Sequence, residues 1–321
     1  MRRAGSAPLR ALDAGELAGA FADSDAMPAS VVRLCALVSD PHAEMSEIVA
    51  VIEHDQVLTG HLLRRANSAA SSALEPVRTV RDAAVRLGPP EVLSVALAAS
   101  VSGVLRRSQP AYALDEGDLW RRSVAASAAA EIIRERAARP LPREVGTTAL
   151  LHDIGKVVIG RALPLEHVRE LRRVHQEAMA TAAAAEGPAD TTAGSSRSAA
   201  GLACLHDEAM LRAERDVLGV DHAEVGQLVA IGWGLPPSMT DAIAQHHQRH
   251  VEGRGPNGLS AALAHAMVVD VLAPPGDEQP SPVPAAFGPV LLALGLDPEA
   301  YAGLRDRAAQ RCQQVTRSYE V

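Results

Sequence analysis

Six side chains in this sequence have the chemistry to hold a divalent cation together: His152 and Asp153 in the run LLHDIGKVVIG, then His222, the pair His246 and His247, and Asp270. Imidazole and carboxylate are ligands of hard and borderline divalent metals. Their spacing turns them inward. His222 precedes Val225, Gly226 and Val229 by three, four and seven residues and shares their helical face, and His246 and His247 follow Ile243 by three and four. Asp270 follows Leu263, Ala266 and Met267 by seven, four and three, which sets a carboxylate on an apolar stripe. Such a placement is costly unless a cation or hydrogen-bond donors meet it. Lys156, one turn after His152, could steady a phosphate. Singly, each histidine reads more simply as a hydrogen-bonded core residue, and His246-His247 as a pair favoured by the end of a helix. The set carries more information than any member.

The elements that must position these groups read as helices. Aromatic residues make up 2% of the chain and alanine is abundant, a composition suited to close helix packing rather than strands. An all-α fold is expected, an N-terminal helical bundle packed on a second helical bundle. Residues 1–26 read as a flexible start, and a first helix begins near Met27 with a stripe at Val31, Leu34, Cys35 and Val38. Leu87-Gly88-Pro89-Pro90 is a helix stop and restart. A helix from Asp118 to Arg139 ends before Pro140 and Pro142 and precedes the one bearing His152. TAAAAEGPADTTAGSSRSAAG marks a flexible insertion at about 178–203. Ser238-Met239-Thr240-Asp241 has capping-box spacing, and APPGDEQPSPVPAAFG is a proline-rich connection to a C-terminal helical tail. The divisions are 27–110, 111–275 and 276–321. Trp120 and Trp233 read as packing residues and Asn67 as a helix-end hydrogen-bonding group, while Arg64-Arg65 and Arg121-Arg122 could mark an anion site, with a solvated face the default for the former.

The order HD, H, HH, D resembles the HD superfamily of helical metal-dependent phosphohydrolases. More specifically, MPASVVRLCALVSD, IVAVIEHDQVLTGHLLRRANSA, VRTVRDAAVRLGPPEV, DLWRRS, LLHDIGK, ERDVLGVDHAEVGQLVAIGWGLP and AIAQHH resemble the HDOD family of bacterial signalling. That resemblance spans about residues 27–275. It implies a further ligand histidine two residues after the tryptophan of LWRRS, where this chain has Arg122, and a guanidinium cannot donate a lone pair to a metal. The glycine-tyrosine-proline signature of the related HD-GYP phosphodiesterases is also missing after His247.

Two readings follow. In the first, the HD site is inactive, Arg122 replaces the metal's charge beside Asp153 and Asp270, and no cofactor is needed. The resemblance then implies a regulatory module that contacts other signalling proteins, with input and output supplied in trans, a nucleotide in the old cleft, and room for a homodimer. In the second, His152, Asp153, His222, His246, His247 and Asp270 hold one divalent ion of iron, manganese or magnesium in a phosphodiesterase or nucleotide phosphohydrolase. A third use has the ion ordering the helices without chemistry.

The net charge of −8 and a pI near 5.8 argue against a nucleic-acid track. Cys35, Cys204 and Cys312 fit no disulfide or C-x-x-C pattern. Neither a signal peptide nor a membrane span is expected, so the expected location is the cytoplasm.

Overall fold

The apolar stripes of the first hundred residues become a run of helices: α1 (Ala14–Ser24), α2 (Ala29–Ser39), α3 (Met45–Glu53), α4 (Gln56–Ala66) and α5 (Val80–Leu105). The computed structural model describes residues 13–67, 76–185, 199–248, 250–273, 287–297, 299 and 301–319. A 3-10 turn, Pro110–Tyr112, leads to α6 (Asp118–Arg136), α7 (Val145–Leu151), α8 (Ile154–Ala162), α9 (Leu165–Ala185) and α10 (Ala199–Leu218). Then come α11 (His222–Gly232), α12 (Pro237–Gln245), α13 (Pro256–Leu272), α14 (Gly288–Ala293) and α15 (Tyr301–Tyr319). Among the described residues the only strand-like pairing is an isolated bridge between Gln109 and Leu114. The protein is all-α.

Alanine explains the packing. Helix α6 lies at the centre, against α7, α13 and α15, and its Ala125, Ala126, Ala129 and Ala130 are buried. Small side chains let helix axes approach closely, and the core between them is filled by Leu119 and Ile133 of α6 and Leu151 of α7. Trp120 and Trp233 are both buried. Asn67 clamps the α4–α5 connection: its amide donates to the Val77 carbonyl at 2.8 Å, and the Val77 amide donates back to Asn67 Oδ1 at 2.6 Å.

Several expectations are corrected. Residues 14–24 are helix, not a loose start, because Asp13 caps α1 by accepting from the Glu16 amide, and Phe21 is buried against Trp233 at 6.1 Å between ring centroids. Residues 1–12 lie outside the described residues. Within the expected insertion, α9 continues to Ala185 and α10 begins at Ala199, while 186–198 lie outside the described residues, as do 274–286 of the proline-rich connection. The Ser238 capping box is not formed. Pro236 is the N-cap of α12, and Ser238 Oγ donates instead to Glu144 Oε1 at 2.8 Å. Arg65 is not on a solvated face but is buried against Glu91. Finally, α5 is long and apolar enough to pass as a membrane span by composition. Gly88, at φ 77° and ψ 160°, breaks it into two shorter helices ahead of Pro89 and Pro90, and Val92, Leu93 and Leu97 are buried in the core.

One crossing fixes where the candidate ligands fall. Helices α8 and α11 meet backbone to backbone at Gly155 and Gly226; a Cβ on Gly155 would lie 1.9 Å from the His222 carbonyl oxygen and 2.8 Å from the Gly226 nitrogen. The crossing brings the start of α8, with Asp153, against the start of α11, with His222. Gly155→Ala is therefore expected to lower stability by about 3 kcal/mol, the upper end for an overpacked core. Gly103→Ala, in α5 with nothing within 4 Å of the added methyl, is expected to raise it by up to about 1 kcal/mol. Urea unfolding of the two variants checks this, and equal midpoints would contradict the tight crossing.

Candidate metal centre

His152 is the C-cap of α7 and Asp153 the N-cap of α8, so the HD pair occupies a sharp junction between two short helices. Asp153 is fully buried, and its Oδ2 accepts from Lys156 Nζ at 2.8 Å, one turn into α8. Three imidazoles surround the same carboxylate: His152 Nε2 lies 3.3 Å from Oδ2, and His222 Nε2 and His246 Nε2 lie 3.3 and 3.5 Å from Oδ1. His247 Nε2 is 2.8 Å from His222 Nε2, and His265 of α13 completes the group with its ring 4.9 Å from that of His152 and 5.0 Å from that of His246.

The tautomers follow from what the far side of each ring touches. Nδ1 of His152 lies 2.6 Å from the Ala149 carbonyl and Nδ1 of His246 lies 2.6 Å from the Ile243 carbonyl. A carbonyl only accepts, so in both rings Nδ1 carries the hydrogen and Nε2 of the neutral ring presents a lone pair to the centre. In His222, Nδ1 faces the Glu214 carboxylate at 2.8 and 3.0 Å, an arrangement that orients metal-binding imidazoles. Glu214 also accepts from the His222 amide and the Tyr112 hydroxyl, at 3.0 and 2.7 Å.

Burial and charge divide the group. Burial pushes the His246 imidazole down to about 3 and holds His247 well below the usual range, with the neighbouring histidines adding to it. Burial acts the same way on His222 but is outweighed by Glu214 and Asp153, which hold that ring up to about 9. Asp153 is kept well below the usual carboxylate range; burial opposes this, and His152 and Lys156 overcome it.

His152 Nε2, Asp153 Oδ1 and His246 Nε2 are buried, point into one space and have no hydrogen-bond partner. Orphaned buried acceptors are destabilising unless something with positive charge meets them. Three overlapping sets of ligand atoms lie within 4.8 Å of one another: His152, Asp153, His246, His265; Asp153, His222, His246, His247; and Asp207, His247, His265. Nitrogen-rich sets with one carboxylate each suit iron, manganese or zinc better than magnesium. The residues fit a divalent metal ion.

Five of the six residues predicted from the sequence, His152, Asp153, His222, His246 and His247, meet here. Asp270 does not join them: on the same helix as His265, it accepts from the Tyr301 hydroxyl at 2.9 Å. Sequence reasoning missed His265, Asp207 and Glu214. Helix α13 is buried almost all round, so periodicity could not choose between His265 and Asp270. Asp207 and Glu214 had a readable signal, seven residues apart on one face of α10, with Asp207 in a second HD dipeptide. Arg122 forms no ion pair with Asp153 or Asp270. It lines a cavity of about 170 Å³ with Tyr112, Lys156, Asp207 and His222. The cation on Asp153 is Lys156.

The HDOD domain profile matches residues 25–207 and 195–249, more than half of the 321-residue chain. An HDOD domain protein of unknown function from Geobacter sulfurreducens has the same fold, with 22% identity and a TM-score of 0.64 over 96% of this chain and 98% of the other. A protein from Shewanella amazonensis SB2B, provisionally assigned as a phosphohydrolase, is 21% identical with a TM-score of 0.60 over 96% and 99%. A protein from Marinobacter aquaeolei VT8, provisionally assigned to signal transduction, is 20% identical with a TM-score of 0.61; the match covers 92% of this chain and 60% of that one. No curated protein matches in sequence.

Replacing Lys156 by methionine leaves a buried carboxylate without its ammonium partner and is expected to cost about 3–5 kcal/mol. Arg122→Met is expected to change stability by no more than about 0.5 kcal/mol. Urea midpoints of the two variants decide it, and a larger loss at Arg122 would return the compensating charge to that residue.

Proposed function

The chain belongs to the HDOD family, and on that premise we propose that it is a regulatory signalling module whose histidine cluster holds a divalent metal ion. The observation that carries this reading is the convergence of His152 Nε2, His246 Nε2 and Asp153 Oδ1, buried and without hydrogen-bond partners, on one space. A ring held by a carbonyl or carboxylate at its far nitrogen needs no rearrangement to ligate. Five separate elements contribute to the cluster, so occupancy ties α7, α8, α11, α12 and α13 together, and its state can be read by a partner protein as a change in how these helices sit. Other signalling proteins are the proposed partners.

A second reading, hydrolysis of a phosphoester, is favoured by the cavity beside the cluster. Lys156 and Arg122 both line it, and two cations next to a metal centre suit a phosphate-bearing ligand such as a nucleotide. The ion would supply Lewis acidity and a water acidic enough to act as nucleophile near neutral pH. The chain's own residues would hold the phosphate with Arg122 and Lys156, while Glu214 keeps the His222 ring oriented. Lys156 would have to share its charge between Asp153 and the phosphate.

Elemental analysis of tag-free protein tests the metal directly. About one iron, manganese or zinc per chain is expected in the wild type, with retention lost in His246→Ala at unchanged helical content. Protein that stays empty after equilibration with each of these ions would overturn the metal reading. The loaded protein assayed on bis-p-nitrophenyl phosphate separates the two readings, because metal-dependent turnover that falls at least ten-fold in Arg122→Ala supports hydrolysis. Full occupancy without turnover supports the regulatory role.

A further inference from the structure

A second cleft, away from the histidine cluster, lies where α4, α5, α6 and α15 meet. Its volume is about 540 Å³ and its wall carries Arg65, Arg86, Arg134 and Arg311. Below it a narrow extension of about 30 Å³ shares Arg65 and Arg311 with the cleft and is floored by Ala98, Val124 and Leu150. The kink of α5 at Gly88 separates Arg86 from Glu91, which both reach the cleft.

The cleft's carboxylates are already committed. Glu91 accepts from Arg65 at 2.5 Å, Glu131 from Arg134 at 2.6 Å, and Glu135 from Arg311 at 2.8 Å. Arg86 is left over, and among the described residues its guanidinium reaches only the Ala66 carbonyl, at 3.4 Å. Four arginines against three glutamates give this wall a positive balance on a chain of net charge −8. The pairs also leave donors unused: Arg134 gives Nε and Nη2 to Glu131, and Arg311 gives Nη2 to Glu135, out of five N–H groups on each guanidinium. Planar forks of this kind match the oxygens of phosphate and carboxylate.

We propose that this cleft is a binding site for a small polyvalent oxyanion, a phosphate or a polycarboxylate, held by Arg86, Arg134 and Arg311. The site would join the N-terminal helices to the C-terminal helix across α6. It also adjoins the metal centre through one element: Glu131 rests on Gly146 of α7, where a Cβ would lie 2.3 Å from its Oε1, and α7 ends at His152.

Calorimetric titration of the full chain with inorganic phosphate and, separately, tricarballylate tests the site and distinguishes the two chemistries by which binds more tightly. Saturable binding is expected for at least one. Arg86 is exposed, so Arg86→Glu and Arg86→Gln should keep the unliganded melting temperature while weakening that anion at least about ten-fold for the glutamate and less for the glutamine. Arg122→Ala, in the cavity beside the histidines, should leave the affinity unchanged. Absence of saturable binding by both anions, or unchanged affinity in Arg86→Glu, would overturn the proposal.

Discussion

A carboxylate at zero exposure in the middle of a helical bundle organises this protein. Asp153 cannot stay ionised there without cations or donors close by: Lys156 supplies an ammonium from its own helix and His222 an imidazole held up by Glu214, while His152 and His246 turn lone pairs toward the same carboxylate and call for a further cation. Each of these groups is itself buried and needs a partner behind it, so the requirement propagates outward to Glu214, Tyr112 and the carbonyls of Ala149 and Ile243. The result is a polar network enclosed by an alanine-rich core.

The network depends on backbone geometry as much as on charge. Asp153 and His222 sit at the starts of two helices that touch through Gly155 and Gly226, so the glycine of HDIGK is a packing requirement. The cluster uses helix ends in the same way elsewhere. His152 and His246 are both C-caps whose Nδ1 turns back to the carbonyl three residues earlier, which fixes the ring without any outside partner.

Much of this was legible in the sequence. Alanine content and period-3.6 stripes indicated helices, and the HD, H and HH residues shared inward faces that the fold brings together. The break at Gly88 was readable because glycine followed by two prolines leaves little choice of backbone. What escaped depended on three-dimensional competition. On α13 both His265 and Asp270 lie on buried faces, and only the docking of α12 and α15 decides that the histidine meets the cluster and the aspartate meets Tyr301. Arg122 was a reasonable substitute for a lost ligand by position, yet a long side chain on α6 could not compete with Lys156, which is three residues from Asp153 on the same helix turn. Ser238 met a carboxylate from α7's N-cap, an encounter that no local pattern encodes.

The placement of α15 has a consequence for how the chain is made. Its ladder against α6 joins residues as far apart as Arg311 and Glu135, a separation of 176 residues, and Tyr301 closes on Asp270 from the same helix. During synthesis the small-residue surface of α6 therefore emerges long before the helix that covers it, and the last layer of the core can form only after α13 is in place. Such long-range closure slows folding and leaves apolar surface open to wrong partners. Nascent chains of this protein should lean on chaperones until α15 has left the ribosome.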